Sequence, residues 1–151
     1  MASFVYGPGA LAMVLGSGVT NTLDFLNQTI QVGLSNTTHV PNKDNNFLDD
    51  GGADDFVDGE LSGTGYARQT LGSKTVAYDS ANDRVEFDGA DTVWTAINAG
   101  TAAQATVHRD NSTDATSTLM CNVDTGGFPV TTNGGDLTIQ WNAEGIVHLT
   151  V

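Results

Sequence analysis

Three short apolar runs between residues 60 and 98 constrain the fold more than any other part of the chain. They occupy residues 74–78, 84–87 and 92–97, and each is too short for a helix and rich in valine, threonine and aromatic residues. Residues 79–83 separate the first two runs with Asp, Ser and Asn, which favour turns because their side chains bond the local backbone. The third run is apolar on both faces, which predicts a deeply placed strand. We interpret the stretch as an antiparallel meander.

The same pattern of short alternating runs continues on both sides of this stretch. Residues 29–34 and 104–108 alternate between apolar and polar or small side chains, so one face of each is predicted to point inward. Many such runs separated by turn residues are typical of sandwiches. The sequence predicts an all-β, two-layer antiparallel β-sandwich, jelly-roll or immunoglobulin-like, with short helices only at residues 10–15 and 46–57. The predicted core contains Val32, Val76, Val85, Phe87, Trp94, Leu119, Leu137, Ile139 and Leu149.

The length and composition fit one domain of this kind. A chain of 151 residues is long enough to bury a substantial core. Its 18 glycines, together with abundant Thr, Asn and Ser, suit turns and strands and are weak helix formers. We divide the chain into an N-terminal apolar arm at residues 1–22 and a β-sandwich domain at residues 23–151.

The charge excludes two classes of partner. The formal net charge is −13 and the chain has only five Lys and Arg residues. Nucleic acid and anionic membranes need cationic contacts, so neither is an expected partner. The same charge makes copies of the chain repel one another unless cations or apolar contacts offset it.

The arm has two interpretations. It is apolar, yet it has no basic region and is interrupted by Gly and Pro, so it predicts neither a signal peptide nor a membrane span. It either docks on a neighbouring subunit or shell, which is our first prediction, or covers an open edge of its own sheet. The candidate contact residues are Phe4, Val5, Tyr6, Leu11, Met13, Val14 and Leu15.

Acidic residues crowd the segment from Asp49 to Glu60. Carboxylates can hold calcium, but their order here does not match the alternating ligands of an EF-hand loop. We expect a solvated acidic loop. Calcium binding remains the alternative.

Nothing in the sequence predicts catalysis. We expect His39, His108 and His148 to lie in a polar loop or on exposed faces of strands, and no spacing brings them to carboxylates. Cys121, the single cysteine, is predicted to be a small buried hydrophobe. We predict no enzyme activity, no catalytic residues, no metal and no cofactor.

Three segments carry a resemblance to a known family. They are SGTGYARQTL, KTVAYDSANDRVEFDGADTVWTAI and GGDLTIQWNAEGIVHLTV. From residue 29 to the end, the chain resembles small structural proteins of tailed bacteriophages, some of which are capsid decoration, or cement, proteins. The resemblance implies a non-catalytic virion protein on the outer capsid surface, present in the host cytoplasm before assembly. It implies the major capsid protein and the chain itself as partners, with a homotrimer at local threefold positions.

Two other functions remain open. The first is a component of the tail, baseplate or fibre. The second is a carbohydrate-binding module that uses Trp94, Tyr66 or Trp141 as stacking platforms. An exposed aromatic row would favour the carbohydrate module, and buried aromatics would favour the structural protein.

Overall fold

The computed structural model describes residues 4–6 and 23–150. In this part of the chain the regular secondary structure is almost entirely β, as predicted, with one four-residue helix and one short 3-10 helix at Asp114–Thr116. The helix is α1, Phe56–Gly59, at the end of the segment where a short helix was predicted. The strands are β1 Phe4–Val5, β2 Ile30–Ser35, β3 Gln69–Thr70, β4 Thr75–Asp79, β5 Arg84–Asp88, β6 Thr92–Trp94, β7 Thr101–Ala102, β8 Gln104–Arg109, β9 Leu119–Val123, β10 Val130–Thr131, β11 Leu137–Ile139 and β12 Val147–Thr150.

A five-stranded antiparallel sheet forms the centre of the molecule, in the order β1-β9-β8-β2-β3. The predicted alternation of β2 is confirmed, because Ile30, Val32 and Leu34 are all buried on one face. Ala105 and Val107 of β8 lie on that same face, as predicted. We call it the inner face of the central sheet.

Three smaller antiparallel sheets cover the inner face, in the orders β12-β5-β4, β11-β6 and β10-β7. Phe87, Trp94 and Val147 from these sheets share one apolar core with the central sheet, so the architecture is sandwich-like and all-β. The predicted meander is wrong in its third strand, because β6 pairs with β11 and not with β5. β6 also ends at Trp94, two residues before Ala96 takes a left-handed backbone conformation with φ of 50°.

The predicted core is largely confirmed. Val32, Phe87, Trp94 and Leu119 are buried, and Val85, Leu137, Ile139 and Leu149 are partly buried against the core. Cys121 is also buried, as predicted, and its burial raises the pKa of the thiol to about 12. Val76 is the exception, with 39% of its surface exposed, because β4 is the outermost strand of its sheet and extends beyond the core.

The second face of the central sheet, its outer face, is covered by the segment at residues 36–61, which includes α1. Tyr6, Leu48, Phe56 and Leu119 form a second, smaller apolar cluster there. Gly33 makes this packing possible, because a Cβ atom at that position would lie 2.5 Å from the Phe56 ring.

Phe4, Val5 and Tyr6 belong to the central sheet of their own chain. β1 pairs with β9, and the side chain of Tyr6 is fully buried. For these three residues the structure shows the alternative interpretation, in which the start of the arm covers an edge of its own sheet. The other candidate contact residues and the predicted helix at residues 10–15 lie outside the described residues. Among the described residues, no helix is long and apolar enough to cross a membrane.

Candidate functional site

A buried polar network lies between the outer face and the segment that covers it. The hydroxyl of Ser35 lies 2.9 Å from Nδ1 of His39, and the side-chain amide of Gln104 donates to the His39 carbonyl at 2.8 Å. Asn122 donates to Gln104 at 3.2 Å and accepts from the Thr106 hydroxyl at 3.1 Å. These contacts connect the covering segment to β2, β8 and β9 through hydrogen bonds that water does not reach.

His108 lies on the same face with no hydrogen-bond partner on either ring nitrogen. Its ring is fully buried, with its centroid 6.2 Å from that of Phe56. Burial, and secondarily the charge of Arg68, lower the pKa of His108 to about 3, and burial lowers the pKa of His39 to about 4. The prediction of an exposed strand histidine is therefore wrong for His108, because the covering segment lies over its face of β8. His39 lies in a loop, as predicted, and is buried, and His148 is exposed, as predicted. Both buried rings are neutral at pH 7.

Arg68 links three parts of the chain beside this network. Its guanidinium makes two hydrogen bonds to Glu60, at 2.6 and 2.7 Å, and two to Asp114, at 2.5 and 3.3 Å. It also lies 5.3 Å from the centre of the Phe56 ring. The hydroxyl of Tyr66 donates to Glu60 at 2.8 Å. The Arg68 guanidinium lowers the pKa of Asp114, so the ion pair persists through neutral and mildly acidic pH.

The acidic loop is organised by its own backbone amides. Asp55 is buried, and its carboxylate accepts hydrogen bonds from the N–H groups of Asp50 and Gly52 and from the side chain of Asn45. Asp50 in turn accepts from the N–H groups at residues 46 and 47. Among the described residues, no three His, Cys, Asp or Glu side chains are placed to hold a metal ion. The calcium alternative has no support from this geometry.

Replacing Asp55 with alanine is expected to lower the free energy of unfolding by about 2–3 kcal/mol, because two backbone amides and one side-chain amide lose their acceptor. Asp54→Ala is the matched control, since Asp54 is exposed beside it, and is expected to change stability by less than about 0.5 kcal/mol. Urea melts of both variants test the expectation. Equal losses in the two variants would contradict the role assigned to the Asp55 carboxylate.

An apolar surface lies on the small sheet β12-β5-β4. Cross-strand pairing puts Val76 beside Phe87, and puts Tyr78, Val85 and Leu149 in the next row of the same face. Phe87 is buried, whereas Val76 is 39% exposed and Tyr78 is 58% exposed. We call Val76, Tyr78, Val85 and Leu149 the β4 strip. The face of the small sheet that packs against the core extends along this strip to side chains that are exposed to solvent.

A separate open groove of about 670 Å³ lies at the end of the sandwich near β10 and β11. Its apolar lining includes Phe128, Ile139 and Trp141, and its polar lining includes Gln140 and Asn142. Trp141 is half-buried, and its indole N–H donates to the Thr92 hydroxyl at 3.3 Å.

The three aromatic residues proposed as stacking platforms do not form an exposed row. Trp94 is fully buried in the core, and Tyr66 is half-buried with its hydroxyl engaged by Glu60. Only Trp141 of the three lines an open surface. The exposed row of aromatic side chains that would favour a carbohydrate-binding module is therefore not formed by these three residues.

We compared the chain with models of protein families, with curated proteins and with solved structures, and none of the three comparisons found a match. The family therefore stays a prediction from the sequence motifs.

Sequence reasoning missed the buried network, although β8 carried a signal for it. Gln104, Thr106 and His108 alternate with its inward residues, so they share one face. That face is exposed in a two-layer sandwich and buried once a third layer covers it. No pattern in residues 36–61 predicted that these residues form such a layer.

Proposed function

We propose that this chain is a non-catalytic structural protein of a bacteriophage virion, and specifically a capsid decoration protein that bridges neighbouring major capsid subunits on the outer face of the head. The motif resemblance supplies the virion context. The structural observation that supports the proposal best is the β4 strip, in which Val76 and Tyr78 are exposed on a chain of net charge −13.

The β4 strip has the character of a protein contact surface. Exposed apolar residues that form a contiguous patch on an otherwise polar surface mark sites of protein contact more often than isolated apolar residues do. Tyr78 gives the strip an aromatic side chain, which is a residue type enriched at protein interfaces. Because the acidic surface repels similar surfaces, apolar contacts have to supply much of the binding energy between subunits.

The described titratable groups near the centre of the molecule serve the fold. His39 and His108 are buried and neutral, and the Glu60 and Asp114 carboxylates are paired with Arg68. The Asp55 carboxylate holds the acidic loop. A chain that uses its buried polar groups in this way is suited to a structural role, in which many copies stabilise a shell through shared surface.

The proposed partners are the major capsid protein and further copies of the chain, in the virion and, before assembly, in the host cytoplasm. The homotrimer stays a prediction from the resemblance. The contact of Leu11, Met13, Val14 and Leu15 with a neighbour stays a prediction from the apolar character of the arm.

The direct test is binding of the purified chain to heads and to tails that were assembled without it. We expect co-sedimentation with heads that saturates at a fixed number of copies per head, and no co-sedimentation with tails. Saturable binding to tails would instead establish the tail, baseplate or fibre alternative. Binding to neither particle would contradict the proposal.

A matched variant tests the arm in the same assay. Changing Leu11, Met13, Val14 and Leu15 together to serine leaves β1 and Tyr6 intact. We expect at least a tenfold loss of head binding with an unchanged thermal melt, because each large apolar side chain removed from water contributes about 1.5–3 kcal/mol. Normal head binding by this variant would contradict the predicted contact.

The groove favours a second candidate, carbohydrate binding. Trp141 and Phe128 provide apolar ring surface beside the amides of Gln140 and Asn142, which is the combination that sugar rings require. A glycan array with wild-type protein and the Trp141→Ala variant tests it. Glycan binding that disappears in the variant would establish this function, and no binding by the wild type would remove it.

A further inference from the structure

We infer that the free edge of β4 is a site for a second copy of this chain, which adds its own β4 antiparallel across a twofold axis at Ala77. The inference concerns the chain itself and does not depend on a role in a virion. Among the described residues, β4 pairs only with β5, and the four side chains from Thr75 to Tyr78 are all exposed. An open strand edge of this kind is a template for another strand.

Hydrogen bonds already present in the small sheet show which groups the edge offers. The Phe87 carbonyl accepts from the N–H of Ile146, so it points towards β12 and away from β4. Val76 lies opposite Phe87, and the N–H and C=O groups of such a pair both point away from each other. The N–H and C=O groups of Val76 and of Tyr78 therefore point to the free edge, while those of Ala77 point to β5.

This arrangement is self-complementary. If Ala77 faces its counterpart across the axis, Val76 of each copy lies opposite Tyr78 of the other. Both residues direct their backbone groups to the partner, so four N–H···O=C bonds form. The close position on the axis, where Cα atoms approach to about 4.5 Å, is occupied by the small side chain of Ala77. The two β4 strips then form one apolar face across both copies.

The charges at the two ends of β4 also match. Lys74 precedes the strand, and Asp79 and Asp83 stand at the other end and in the turn that follows. Antiparallel pairing brings the start of β4 in each copy, with Lys74, next to the acidic turn of the other. The Lys74 ammonium donates to the Gln28 carbonyl and lies 5.9 Å from the centre of the Phe25 ring of its own chain, so its charge acts on that turn at longer range. In a chain with only five Lys and Arg residues, this placement of opposite charges offsets repulsion that most other approaches between copies would increase. Charge complementarity and the β4 strip thus select a copy of this chain as the occupant.

Disulfide cross-linking through one introduced cysteine tests the register. In Ala77→Cys the two thiols lie across the axis, within the Cα separation of about 4.4–6.8 Å that a disulfide needs. In Thr75→Cys the two positions are displaced by four residues, which is about 13 Å along the strand. Val40→Cys, at a 48% exposed site on the covering segment, reports random collision. The native Cys121 is buried, and the unmodified chain gives its background.

With oxidised glutathione as the oxidant, we expect at least ten times more covalent dimer from Ala77→Cys than from either control. Adding Val76→Glu to Ala77→Cys is expected to reduce the yield at least fivefold, and adding Val40→Glu, which changes the net charge equally, is expected to leave it unchanged. Equal yields from Ala77→Cys, Thr75→Cys and Val40→Cys would overturn the inference. The same holds if Val76→Glu and Val40→Glu have equal effects. The assay contains no phage particles, so its outcome is separate from that of the head-binding test.

Discussion

Replacing Trp94 with alanine is expected to lower the free energy of unfolding by about 3–5 kcal/mol, the range for a large aromatic side chain removed from a core. The ring is fully buried between the layers, among residues of the inner face and the small sheets. Its indole N–H donates to the Ala67 carbonyl at 2.8 Å, just before β3. The change therefore leaves a cavity and also removes the donor to a backbone carbonyl of the loop.

Tyr78→Ala provides the comparison for this result. Tyr78 is also an aromatic residue of a strand, but it is 58% exposed. We expect its replacement to cost less than about 1 kcal/mol in the monomer. Urea melts at low protein concentration measure both variants. A loss below about 1 kcal/mol for Trp94→Ala would show that the core is not organised around this ring.

Acid is expected to destabilise the protein well before its carboxylates titrate. The folded-state pKa is about 4 for His39 and about 3 for His108, against 6.5 for an ordinary histidine. Between these values the unfolded chain binds protons that the folded chain excludes, so the free energy of unfolding falls as pH decreases. The stabilisation is complete above about pH 6.5 and is lost progressively towards pH 4 and 3. Together, the two histidines are expected to lower the free energy of unfolding by several kcal/mol over this range, as an order of magnitude.

The Asp114 carboxylate affects the free energy of unfolding at lower pH than the two histidines do. The Arg68 guanidinium lowers the pKa of Asp114 below its ordinary 3.8, so the stabilisation by that ion pair is present above about pH 3.8 and is lost only below it. A fall in stability between pH 6.5 and 4 therefore reports the two buried histidines.

His108→Leu separates the two histidines. Both ring nitrogens of His108 lack partners, so an apolar side chain of similar size is tolerated there. We expect this variant to lose about half of the dependence on pH, and His148→Leu, at an exposed site, to retain all of it. Urea melts at pH 7.5, 5.5 and 4.5 provide the measurement. Equal stability of the unmodified chain at pH 7.5 and 4.5 would contradict the account of the buried network.

Local patterns predicted the strands well, and the structure explains why. β2 and β8 are confirmed because Ile30, Val32, Leu34, Ala105 and Val107 impose a period of two that only a strand with one apolar face satisfies. The β4–β5 hairpin follows from the turn at residues 79–83, where Asp79 accepts hydrogen bonds from Ala81 and Asn82. These features depend on residues that are close in sequence, so they can be predicted without the structure.

Features that depend on distant residues were not predictable in this way. The pairing of β6 with β11 joins residues more than 40 positions apart, and the sequence of β6 does not indicate which strand pairs with it. The burial of His39 and His108 likewise depends on the layer formed by residues 36–61. Val76 was predicted to be buried and is exposed. The alternation of apolar residues in β4 shows that Val76 and Tyr78 share a face, but it does not show where along that face the core ends.

Cryo-electron microscopy of the intact particle tests the central claim most directly, because it locates each copy of the chain. The account predicts density for the all-β domain on the outer face of the head, at the junctions between neighbouring major capsid subunits. Density for this domain in the tail, or at no position on the head, would contradict it.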